Sequence, residues 1–178
     1  GAWGEVVVEN LLQSMGFVED RDYIKQFSET STDGKRKRTD FILNLPGNRQ
    51  VIIDSKVSLT AYTEYVNAED ETSSISAIKA HCASIRKHAT GLASKNYEHM
   101  ESIHTLDFVL MVVPLESAFI DAMKADSSLY EDLVGARRVK VVSGTSLMLV
   151  LMLIQELWKR ENQTRNQVEL VKRAGALH

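Results

Sequence analysis

Three residues near the first third of the chain have the types and spacing of a hydrolytic site: Asp40, Asp54 and Lys56. The stretch RQVIIDSKVSL, residues 49–59, begins as an apolar strand through Val51, Ile52 and Ile53, then meets an aspartate, a serine and a lysine. Side chains alternate along a strand, so Asp54 and Lys56 are expected on one face. Upstream, LPGNR reads as a turn centred on Gly47, and Asp40 and Asp54 each lie seven residues from that centre. In a hairpin of symmetric register the two aspartates face each other, with Cβ atoms about 4.5–5.5 Å apart. Two ionised carboxylates at about 5 Å repel by roughly 3 kcal/mol at an effective dielectric near ~20. One of them is therefore protonated, or a cation is held between them. A hard divalent ion such as Mg²⁺ uses one or two carboxylates plus waters and substrate oxygens. An ammonium beside it, from Lys56, orients an attacking water and offsets charge growing on a phosphate. Two acids and a lysine around one cation are the equipment of metal-assisted phosphodiester hydrolysis.

Those residues need a frame, and the apolar periodicity predicts one. Residues 2–15 carry Trp3, Val7, Leu11 and Met15 at near-helical spacing and stop at Gly16. Strands are expected over 22–28, 39–45 and 50–56, separated by the basic turn STDGKRKR (31–38) and by LPGNR. A helix over about 73–95 places Ile75, Ile78, Cys82, Ile85 and Ala89 on one stripe. LDFVLMVVP, residues 106–114, is almost continuously apolar, the pattern of a central strand covered on both faces. Helices near 116–125 and 128–135, a strand over 137–143 and a helix through the last 33 residues complete the order. The expected class is α/β: a mixed sheet of four to five strands flanked by helices on both faces, ending in a long helix.

Bulk properties narrow the function classes. At 178 residues the chain suits one domain with a sizeable core. A net charge of -3 argues against a generic nucleic-acid coat, though a local basic groove is compatible with it. The single cysteine, Cys82, excludes a disulfide framework and a four-cysteine zinc site, and fits a reducing compartment. The longest apolar stretch, Leu147 to Ile154, falls far short of the ~20 residues that span a bilayer. It reads as a buried helix or a seam for a homo-oligomer. The chain opens on GAWGE, and residues 1–178 are read as one domain excised from a longer protein.

The stretch TDFILNLPGNRQVIIDSK resembles the bipartite motif of the PD-(D/E)XK nuclease superfamily, an acid followed by acid-x-lysine at the end of the next strand. Thr39 stands where the motif name has proline. More narrowly, GAWGE, LPGNRQVIIDSKVSLTAY, HCASIRKHATGLASKNY, FVLMVVPLESAF and LWKRENQ, in this order, resemble the conserved part of the RmuC family of DNA recombination proteins. The resemblance covers essentially the whole chain. It implies a restriction-endonuclease-like core with Asp40, Asp54 and Lys56 as motif residues. Glu5 is implied as a helical glutamate added to the metal shell, with Mg²⁺ or Mn²⁺ also held by Ser55 through its carbonyl. DNA is the implied partner, and a role in limiting rearrangement at inverted repeats the implied purpose. It further implies a cytoplasmic-facing location, with any membrane anchor in a segment outside this chain.

Further residues keep two readings. Lys35, Arg36, Lys37 and Arg38 form either a solvated turn or a phosphate clamp beside Asp40. Arg86, Lys87 and Lys95 are candidate phosphate contacts on the long helix. His81 and His88, seven apart, share a helix face but lack a third ligand in reach. Tyr62 and Tyr65 would pack or stack on bases, Glu116 is a site acid or a first-turn helix residue, and Cys82 is core. The leading expectation is a divalent-metal-dependent DNA nuclease. The alternative is an inactive nuclease-like fold that binds DNA or a protein.

Overall fold

The hairpin that carries the two aspartates organises the sheet. In the computed structural model, which describes residues 2–135 and 137–176, β4 (Phe41–Leu45) and β5 (Arg49–Asp54) pair antiparallel with Phe41 opposite Ile53 and Leu45 opposite Arg49. The loop between them is Pro46, Gly47 and Asn48, with φ of 77° at Gly47 and 56° at Asn48. Glycine enters that left-handed region freely and asparagine at little cost, so the turn residues dictate the register. β1 (Tyr23–Lys25) adds antiparallel to β4, while β6 (Thr105–Val113) and β7 (Val139–Ser143) continue parallel beyond β5. The result is a five-stranded mixed sheet, in the order β1-β4-β5-β6-β7.

Alternation along each strand divides the core in two. Phe41, Leu43, Val51, Ile53, Leu110 and Val112 pack with Val8 and Leu12 of α1 (Ala2–Ser14) and with Leu147, Leu151 and Ile154 of α6 (Gly144–Ala176). Ile42, Ile52, Val109, Met111 and Val113 face the other way, onto α2 (Thr60–Val66), α3 (Glu71–Ala93), α4 (Glu116–Ala125) and α5 (Ser127–Gly135). Helices thus cover both faces, as the apolar pattern of β6 predicts. Along α6 one stripe is core, whereas Leu149, Leu153 and Leu157 are exposed. Among the described residues no helix is long and apolar enough to cross a membrane.

Three elements depart from the sequence expectation. The strand expected over 22–28 stops at Lys25, because Gln26 takes a φ of 54°. The chain resumes as β2 (Ser28–Thr30), which pairs with β3 (Arg36–Arg38) in a separate two-stranded ribbon, so the supposed basic turn is a hairpin. The strand expected over 50–56 ends at Asp54, and Ser55 and Lys56 belong to the loop entering α2. α2 itself carries no clear apolar periodicity in TAYTEYV. Farther on, α3 starts at Glu71 because Asp70 caps it, accepting from the Ser73 backbone N–H at 2.7 Å.

Arg86, a candidate phosphate contact, is committed to the fold. Its guanidinium donates to Asp126 at 2.7 Å, Asp132 at 3.0 Å and the Ser128 hydroxyl at 2.8 Å, tying α3 to the start of α5. The Arg86 hydrogen bond, assisted by Ser128, holds the Asp126 carboxyl down at about 2, against an ordinary 3.8. A carboxyl depressed in the folded state stabilises above its unfolded pKa and loses that contribution as pH falls through the folded value. Arg86→Met is therefore expected to lower the thermal midpoint at pH 7 and to shrink the difference from wild type between about pH 4 and pH 2. Midpoints measured across that window check it, and an unchanged gap at pH 2 would contradict it.

Candidate active site

The register carries Asp40 and Asp54 to the same end of the hairpin, one step beyond the last paired residues, Phe41 and Ile53. Both are buried, Asp40 to 1% and Asp54 to 7% exposure. Asp40 Oδ2 accepts from the Ser55 backbone N–H at 2.9 Å and from its hydroxyl at 3.4 Å. Lys56 Nζ lies 2.6 Å from Asp40 Oδ1. That contact is an ion pair of close charges, not a well-directed hydrogen bond, and Oδ1 is buried with no donor aimed at it. Asp54 has other partners: its Oδ1 is 2.6 Å from His88 Nε2 and accepts the Lys56 backbone N–H at 3.3 Å.

Because β5 ends at Asp54, strand alternation does not extend to Lys56, which corrects the expectation of a shared strand face. The lysine instead crosses toward α1, where Glu5 Oε1 is 3.9 Å from Nζ. Glu5 Oε2 accepts from Gln26 Nε2 at 3.2 Å, a contact allowed by the backbone break at Gln26. Gly4 makes the approach of α1 possible. A Cβ at that position would sit 2.2 Å from the Ser55 carbonyl oxygen, so only glycine lets the helix backbone rest on the end of β5. The Ser55 carbonyl thus faces α1 at Gly4. The field of the acids reaches Tyr97, whose phenol is pushed up first by burial and then by Asp54 and Asp40.

As a metal centre the arrangement has the right donors in an unfinished order. Two buried carboxylates are the oxygen ligands that Mg²⁺ and Mn²⁺ take, and the one oxygen of Asp40 not held by Ser55 is met by the Lys56 amine. Among the described residues, however, no group of three or more His, Cys, Asp or Glu side chains is gathered as a metal shell. Lys56 supplies the neutralising charge at Asp40, and His88 engages Asp54.

The remaining candidates sort by their contacts. Lys56, Ser58, Lys87, His88 and Lys95 line a cavity of about 360 Å³ beside the acids. Lys87 and Lys95 are thus next to the site, whereas Arg86 is engaged with α5. Lys37 is turned inward, bonded to Asp33 at 3.0 Å and to the Asn96 carbonyl at 2.8 Å, while Lys35, Arg36 and Arg38 are exposed. His81 is fully buried with Nε2 2.8 Å from the Ala118 carbonyl, so the two histidines serve different partners. Tyr62 is core, donating to Asp121 at 2.7 Å. Glu116 accepts from the Thr145 N–H at 3.4 Å at the start of α6. Sequence spacing pairs His88 with His81 on one helix face and does not reveal its contact with Asp54; the one signal for that contact is its place on the helix after Lys56. A cavity of about 1360 Å³ lies at the other end of the hairpin beside Gly47 and Trp158 and is lined by none of the three motif residues.

Fold and site together define a class: a mixed α/β protein with an acid pair and a lysine at the end of its central hairpin. The chain belongs to the RmuC family, whose sequence model matches residues 1–178. It is 41% identical over its full length to the DNA recombination protein RmuC homolog of Pseudomonas aeruginosa, covering 39% of that protein. Identity is 40% to the RmuC homolog of Vibrio cholerae, with 34% of that protein covered. For DNA recombination protein RmuC of Escherichia coli it is 37%, again covering 37% of the relative. The chain therefore spans under two-fifths of the length of these relatives.

The packing at Gly4 yields paired expectations. Gly4→Ala should destabilise by about 1–3 kcal/mol, since a methyl group has nowhere to go against backbone. Gly91→Ala, in the interior of α3 with nothing within 4 Å of the added carbon, should stabilise by about 0.5–1 kcal/mol. Urea denaturation of both variants checks this, and equal effects of one sign would refute it.

Proposed function

We propose that the chain hydrolyses phosphodiester bonds of DNA with a divalent cation, Mg²⁺ or Mn²⁺, on a core of the PD-(D/E)XK nuclease type. The observation that carries this reading is the position of Lys56. A lysine amine lies 2.6 Å from a buried carboxylate oxygen that has no directed donor, with a second buried aspartate at the same hairpin end. A structural ion pair would not need the second acid, and two acids at one hairpin end repel unless positive charge lies between them.

In this reading Asp40 and Asp54 hold the cation, with Glu5 and the Ser55 carbonyl at its margin. A bound divalent ion supplies a more acidic water and a Lewis acid for the phosphate oxygens. Lys56 orients the attacking water and offsets charge that develops on the phosphate. Ser55 fixes the Asp40 carboxylate through two hydrogen bonds, and His88 fixes Asp54 through one. Lys87 and Lys95, in the adjoining cavity, bind the phosphates of the flanking strand. The relatives are named DNA recombination proteins, and we extend that role to this chain; the limiting of rearrangement at inverted repeats is what the family resemblance adds to that proposal.

A second reading, a DNA-binding or protein-interaction module without catalysis, is favoured by two observations: Lys56 already neutralises Asp40, and no three-ligand group is gathered among the described residues. Labelled single-stranded, duplex and hairpin DNA, incubated with Mg²⁺, Mn²⁺ or EDTA, separates the two. Hydrolysis predicts cutting that EDTA abolishes and that Asp54→Ala and Lys56→Ala each reduce by at least about 10²-fold. Salt-dependent binding with no cutting by folded wild type would support the module instead.

A further inference from the structure

Trp3, Val66 and Leu115 are large apolar side chains left 53%, 63% and 39% exposed. All three converge on one cavity of about 420 Å³, completed by Leu59 and Tyr62, with Thr63 and Asn67 as its polar lining. Its position relative to the acid pair follows from the short loop after β5. Lys56 and Ser58 line the basic cavity, Val57 is buried, and Leu59 lines the apolar one. The two cavities therefore flank a single loop that starts at Lys56. α1 ties the apolar cavity to the acids from the other side: Trp3 precedes Gly4, which rests on the Ser55 carbonyl, and Glu5 reaches toward Lys56.

A polynucleotide strand carries both complementary chemistries. Its phosphates suit Lys87 and Lys95, and an unpaired base offers a flat apolar ring with a polar edge, suited to an indole face and one amide. A base inside a duplex is stacked and its edge is occupied, so it enters a side cavity only after flipping out. Tyr62, which the sequence leaves to pack or to stack, packs: it is 4% exposed, with its hydroxyl on Asp121 and its ring against Tyr65 and His81. Trp3 is the aromatic of this cavity with more than half its surface open.

We propose that the cavity at Trp3 receives an unpaired nucleobase next to the phosphate held at Lys56. The preferred substrate is then a strand with unpaired nucleotides at the cut, as in single strands, flaps or hairpin tips, in preference to continuous duplex. The proposal rests on the reading of the site as one that cleaves DNA, and its test is made without cleavage.

In EDTA, a short labelled oligothymidylate and a blunt duplex are titrated with the chain by fluorescence anisotropy, together with tryptophan emission. The chain has two tryptophans, so Trp158→Phe isolates the Trp3 signal. Should that variant fail to fold, wild type minus Trp3→Ala gives the same difference. Oligothymidylate is expected to quench Trp3, and Trp3→Ala to weaken its binding about tenfold, as loss of one stacked base does. Trp3→Phe keeps most of the affinity, and duplex binding is the same for Trp3→Ala as for wild type. Salt-dependent binding of oligothymidylate with unchanged Trp3 emission and unchanged affinity of Trp3→Ala would overturn the base cavity and leave the DNA reading standing. No binding of either DNA would overturn both.

Discussion

The structure depends on the register of one hairpin. A three-residue loop with two successive left-handed residues, Gly47 and Asn48, fixes Phe41 opposite Ile53. Because side chains alternate with a period of two, a slip of one residue would exchange the two apolar sets of the sheet. If β5 moved, Ile52 would leave the layer under α3, and Val51 and Ile53 would leave the layer under α1 and α6. The same slip would separate Asp40 from Asp54. The burial that stabilises the sheet and the pairing of the two acids are therefore enforced by one constraint. It is strong because both faces of β4 and β5 are covered.

Bringing two carboxylates together in a buried corner has a cost, and the surroundings are arranged to offset it. Asp40 is satisfied on one oxygen by Ser55 and faces a lysine on the other. Asp54 faces His88 and the backbone N–H of Lys56. Burial of unpaired charge is expensive, whereas the same charges with close partners are tolerated. Lys56 is more exposed than His88, 39% against 27%, and sits in a loop beyond the strand. In the proposed metal-bound state the lysine would withdraw from Asp40 and a cation would take its place.

Much of this was legible in the residues, for identifiable reasons. The symmetric placement of Asp40 and Asp54 about Gly47 gave the hairpin and its register, because turn chemistry is local. The continuous apolar run of β6 gave a central strand with helices on both sides, because burial pattern reflects layers. What depended on contacts distant in sequence was not legible. Nothing in HCASIRKHATGL distinguishes His88, which meets Asp54, from His81, which is sealed in the core. Arg86 and Lys37 carry the same charge as Lys87 and Lys95, yet partners elsewhere in the chain, Asp126, Asp132 and Asn96 among them, hold them in the fold. The break at Gln26 and the loop position of Lys56 were missed because a strand's end is set by tertiary competition, not by its own propensity.

We propose that Asp40 and Asp54 share a divalent cation at the end of the hairpin. The most direct test is diffraction from crystals of the chain equilibrated with Mn²⁺, recorded at a wavelength where manganese scatters anomalously. The account predicts an anomalous peak bonded by both carboxylates, with the Lys56 amine withdrawn from Asp40 Oδ1. Crystals saturated with Mn²⁺ in which Lys56 still pairs with Asp40, and no peak stands between the aspartates, would contradict it.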